Sequence, residues 1–225
     1  MMAQGIQYAW LKVMPITFFL ALLLLAFFAY ATRNNERWAQ FRRVCSFKRL
    51  ALAAVIVRVA YAAVLTVLQY NVWASGGLGT LFLHESLNKS LPIPLIQKMQ
   101  WLFNSQWGYF IFYTFERFWL NAILSIGVAW LFYRFLILLK RYEERFFEVG
   151  EVELGFFAAL LAGWPAFVIF LPLVFVFVVV WGLVRITIFK ESYTTLGWPF
   201  FAAILITLFF GRMLISLLGL SVLNV

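Results

Sequence analysis

The chain predicts an all-α fold, a polytopic transmembrane helix bundle with about six to seven membrane segments. Three observations predict it. Of 225 residues, 65% are hydrophobic, with 27 Phe and 10 Trp, more apolar surface than a soluble domain of this length needs. Uncharged runs long enough to cross a bilayer recur, with Met14 to Ala31 as one and Leu154 to Val184 as another. The basic residues gather at the ends of these runs, as loops that stay on one side of a membrane require.

Taken in order, Met14 to Ala31 is long enough to remain as a span, and no convincing cleavage site follows it. Arg33, Arg37, Arg42, Arg43, Lys48 and Arg49 then stand against Glu36 alone, the strongest cytoplasmic marker in the chain. Leu50 to Trp73 forms a second span, interrupted by Arg58. About two turns in, Arg58 is expected to snorkel to the basic face, with pairing to a carboxylate as the sharper alternative. The stretch from Ala74 to Pro94 is polar and marked by Gly and Pro, a break. Pro94 to Phe115 is expected as a third span, Glu116 and Arg117 as a turn, and Phe118 to Leu139 as a fourth span.

A charged loop from Lys140 to Glu153 precedes the apolar run at Leu154. As one straight helix that run would measure about 46 Å, against a hydrocarbon core of about 30 Å. Gly163, Trp164 and Pro165 offer a turn, so a short helix and a longer one ending at Arg185 to Lys190 are expected, with Pro172 a second irregularity. Thr195 to Leu220 is the last span. Residues 1–73 thus read as an N-terminal membrane region with a basic cytoplasmic loop, and 74–225 as a second membrane domain. The count does not close: with two spans between Pro94 and Leu139, the Lys140 to Glu153 loop falls opposite Arg33 to Arg49, although both look cytoplasmic.

The net charge of +9 sits beside apolar spans without any nucleic-acid motif. It reads as loop orientation and attraction to lipid, and no nucleic-acid partner is expected. The single Cys45 excludes an internal disulfide and a Cys-rich zinc site. It reads as a passive residue near a membrane face, and the lone His84 as structural.

The most informative stretch is FEVGEVELGFFAALLAGWP, from Phe147 to Pro165. A charged, Gly-containing loop runs directly into an apolar helix and sets carboxylates where water meets the membrane core, a costly position. Upstream, Glu85-Ser86-Leu87-Asn88-Lys89-Ser90-Leu91-Pro92 sets an acid at the same kind of break. Both stretches resemble the active-site motifs of type IV prepilin peptidases, membrane-embedded aspartic proteases. Gly150-Glu151-Val152-Glu153-Leu154 lies over the family's Gly-Asp-x-Lys-Leu. The interval from Glu85 through Lys89 to Pro92 matches the first Asp motif, and Gly197-Trp198-Pro199-Phe200 is similar to the segment opening the family's last helix. The resemblance runs from Glu85 to Leu220.

It implies Glu85 and Glu151 as a catalytic acid/base pair, supported by Gly150, Glu153, Lys89 and Pro92. Two such carboxyls would share a proton and activate one water, with their pKa values split. It implies no catalytic metal and no cofactor, an inner-membrane, bacterial setting, and a pilin-like membrane protein substrate cut at the cytoplasmic face.

The departures are specific. All nine acidic residues are Glu and the chain has no Asp. Glu148 replaces the family's first Gly and Glu153 its Lys. Each Glu moves a carboxyl by over about an ångström, a displacement that can cost about a hundredfold in rate. Two readings therefore stand. One is an active peptidase. The other is a catalytically silent relative that binds or assembles membrane helices, with the charged loop an ordinary linker. A transporter with Arg58, Arg134 and Arg212 along a polar path is a third, without the repeat symmetry such proteins show.

Overall fold

The computed structural model describes residues 2–33, 35–87, 101, 104–142, 147–190 and 195–220, with side chains from Met14 onward except at residue 189. Every regular element among them is helical. Helix α1 (Met2–Ala31) leads through a short turn (Glu36–Trp38) to α2 (Ala39–Val44) and α3 (Phe47–Ala74). Helix α4 (Leu78–Leu83) precedes the long α5 (Gly108–Tyr142), then α6 (Glu151–Ala162), α7 (Phe167–Val184) and α8 (Gly197–Leu217). By length and composition, five helices among the described residues are apolar enough to cross a membrane: α1, α3, α5, α7 and α8. This is a membrane protein.

One departure from the expected segments falls at Glu116 and Arg117. They make no turn but lie in a π-helical stretch (Phe115–Trp119) inside α5. Two adjacent charges resemble a loop in sequence, but between Tyr109 and Ser125 no Gly or Pro ends the helix. Residues 94–100, where the third span was expected to begin, lie outside the described residues. The Leu154 to Val184 run divides as expected: α6 ends at Gly163, and a four-residue turn with a cis Trp164–Pro165 bond leads into α7. Pro172 lies inside α7 without ending it.

The chain forms two compact units. One comprises Met1–Arg58 with Leu124–Asn224, the other Val59–Ile123. In the first, α6 is the centre. Phe157, Leu160 and Leu161 are fully buried beside Phe170 of α7 and Phe200 and Ile204 of α8. Phe132 of α5 meets Phe167, Phe170 and Phe200 edge-on. Gly155 permits this packing, since a Cβ there would overlap Leu136 and lie 2.9 Å from the Phe200 ring.

The second unit is held by aromatic rings. Trp73 packs on Phe82, Tyr109, Phe110 and Tyr113, and Tyr70 on Trp107 and Phe110. His84 lies edge-on to Trp107. The Trp119 indole donates to Thr66 Oγ1 at 3.1 Å.

Helix α6, at 12 residues, is about 18 Å long and cannot cross a core of about 30 Å. Its end therefore lies at depth, where unpaired backbone groups are costly. Arg58 meets that need: its guanidinium donates to the carbonyls of Leu160 at 2.8 and 2.6 Å and Leu161 at 3.3 Å, and it lies over the Phe19 ring. Arg58 stands about 17 Å into α3 and Leu161 about 15 Å into α6, so the depths match. Arg58 thus neither snorkels nor pairs with a carboxylate; it caps α6. The Trp164 N–H is likewise satisfied, at 2.8 Å by the buried Ser125 hydroxyl.

Candidate functional site

Glu151 begins α6. Gly150 precedes it at φ +90°, a left-handed conformation that favours Gly, and so turns the chain sharply into the helix. The Glu151 side chain is 0% exposed. Its Oε1 accepts from the Tyr30 hydroxyl at 3.0 Å and the Gly197 N–H at 2.8 Å. Its Oε2 accepts from the N–H groups of Glu148 at 3.0 Å and Leu196 at 3.2 Å. All four contacts use the carboxyl as acceptor, the pattern of a carboxylate with its acceptor positions filled. Two of these donors open α8, where the helix dipole favours an anion. One side chain thus fastens the starts of α6 and α8 to the end of α1.

Gly197 allows the approach. A Cβ there would overlap the Tyr30 ring. Tyr30 is itself enclosed by Trp198 and Phe201 and overlain by the Arg33 guanidinium. Arg33 forms an ion pair with Glu148, and Lys48 lies 3.6 Å from Glu153. These pairs put the Arg33 to Arg49 segment and the loop before Glu151 at one end of the unit. The two basic loops, which the span count of the sequence set on opposite sides, thus lie together at this end.

The predicted site residues divide between the units. Glu151, Gly150 and Glu153 belong to the first; Glu153 is partly buried. Glu85 belongs to the second, is exposed, and its backbone carbonyl accepts the Tyr109 N–H at 3.0 Å. Lys89 and Pro92 lie outside the described residues. Sequence reading missed Tyr30 and Arg33, which lie more than a hundred residues before their partners, with no spacing to link them. It did single out Gly197, through its resemblance to a helix-opening segment, though not as a donor to Glu151.

At the same end of the first unit is a cavity of about 960 Å³. Tyr30, Phe47 and Phe147 line it, together with Cys45 and a set of charged side chains. Among the described residues, no group of three or more His, Cys, Asp or Glu side chains is arranged to hold a metal ion. Compared with known protein families, curated proteins and solved structures, the chain gives no match.

Proposed function

We propose that this chain is a non-cleaving relative of the prepilin peptidases, a subunit of the bacterial inner membrane that binds the apolar helix of a pilin-like protein. The observation that carries this reading is the state of Glu151. The carboxyl aligned with a catalytic Asp is fully enclosed, and four donors occupy it. A general base needs a free lone pair within reach of a water or substrate proton. Here the lone pairs hold helices together, and freeing one would break a buried hydrogen bond worth about 1–3 kcal/mol. The absence of Asp from the whole chain supports the same reading.

The active-peptidase reading has one observation in its favour. The two segments that resemble family motifs, Gly150 to Leu154 and Gly197 to Phe200, meet at Glu151.

The two are separated by incubating membranes containing the full chain with a prepilin-like substrate, alongside Glu85→Gln, Glu151→Gln and the double Glu→Asp variant. The proposal expects the substrate to remain intact with the parent and to co-purify with it. Cleavage by the parent that disappears in both Gln variants would establish a peptidase with a Glu pair. Neither cleavage nor co-purification would overturn both readings.

A further inference from the structure

The cavity at the basic end is lined by Arg33, Arg42, Lys48 and Arg185, against Glu148 and Glu153. Among the described residues, four cations to two carboxylates give the lining an excess of positive charge. Glu148 is engaged by Arg33 and Glu153 faces Lys48. Arg42 is fixed at the lining by one hydrogen bond, Nη1 donating to the Thr32 carbonyl at 3.1 Å, and a guanidinium has four further N–H groups.

The location adds a second constraint. The lining draws on the last turn of α1, the start of α3, the start of α6 and the end of α7. Four helix ends meet there, where apolar spans give way to charged loops. Phe47 and Phe147 supply apolar wall beside the cations. A cavity with cationic side chains at the water boundary and aromatic rings beside them fits a phosphate attached to an apolar body better than a small free ion.

We propose that this cavity binds a phosphate-bearing anion, with Arg42, Arg185 and Lys48 as its cationic contacts and an anionic phospholipid headgroup as its source. Basic pockets between membrane helices take such headgroups, and guanidinium groups match phosphate geometry through paired N–H donors. The inference is independent of whether the chain cleaves or binds a pilin-like helix.

Cys45, the chain's one cysteine, lines the cavity and provides the readout. The full chain is purified in a neutral detergent, and the rate of Cys45 alkylation by N-ethylmaleimide is followed. Phosphatidylglycerol, phosphatidylcholine, oleate and inorganic phosphate are added in separate series at constant ionic strength. Phosphatidylglycerol is expected to slow alkylation severalfold, with phosphatidylcholine and oleate far less effective. Protection by inorganic phosphate as well would support the site and identify free phosphate as a sufficient ligand.

Arg42→Gln is expected to raise the half-protecting concentration about tenfold, the loss of one charge-assisted hydrogen bond. Lys48→Gln, at a side chain 76% exposed, tests the same contact without touching packing. Arg212→Gln, at a residue outside this lining, is expected to keep full protection. Equal protection by oleate, no protection by phosphatidylglycerol, or full protection retained in both Arg42→Gln and Lys48→Gln would overturn the proposal.

Discussion

Glu151 shows how a single buried charge can be structural. An ionised group removed from water is stable only when donors replace its hydration, and each oxygen here has two. Removing one partner is informative because it leaves the other donors in place. Tyr30→Phe is expected to lower stability by about 1–3 kcal/mol, the cost of one buried hydrogen bond. Glu151→Ala strands four donors and is expected to cost at least about 3–5 kcal/mol, the range for breaking a buried charged group from its partners. Glu151→Gln is expected to fall between them, since its amide nitrogen turns a donor toward donors. Apparent melting temperatures of the purified proteins in detergent check the order; Glu151→Ala as stable as the parent would remove Glu151 from the role of helix fastener.

At the scale of elements, the Arg58 cap is the device that lets α6 stop partway through the membrane. The carbonyls it satisfies belong to Leu160 and Leu161, and Gly163 just beyond leaves room for the guanidinium. Gly163 has φ +61°, so Gly163→Ala meets both a strained backbone, worth about 1–2 kcal/mol, and overlap with Arg58. Arg58→Met strands the two carbonyls. The two changes share one interaction, so their effects on melting should be non-additive by about 0.5–3 kcal/mol in a double-mutant cycle; simple addition would show that Arg58 does not cap α6.

Much at this scale was legible in the sequence. Gly163-Trp164-Pro165 marked the turn, and an apolar run too long for one span required it. The partner of Arg58 was not legible, because a backbone carbonyl leaves no trace in residue type. Nor was the continuity of α5 through Glu116 and Arg117, since two charges interrupt hydropathy without interrupting a helix. Gly150 and Glu151 were picked out by motif, but their structural role depends on Tyr30 and Gly197, which only the folded chain brings near.

For the whole molecule, the arrangement of spans is the testable consequence. Helices α3 and α5 are each long and apolar enough to cross once, and the chain leaving α5 is expected on the side from which α3 started. The ion pairs of Arg33 with Glu148 and Lys48 with Glu153 agree with this. Because that side carries the densest cluster of Lys and Arg, the positive-inside rule assigns it to the cytoplasm. Cys45 reports directly, as the chain's one thiol. Tyr142, 89% exposed at the end of α5, reports as Tyr142→Cys in a Cys45→Ser background. In intact bacterial cells, a membrane-impermeant maleimide is expected to label neither position, while in inside-out vesicles it labels both. Opposite behaviour of the two positions would mean an odd number of crossings between them and would overturn this arrangement. Labelling of both from outside would keep the span count and invert the orientation, placing the Glu151 end and the basic cavity on the outer face.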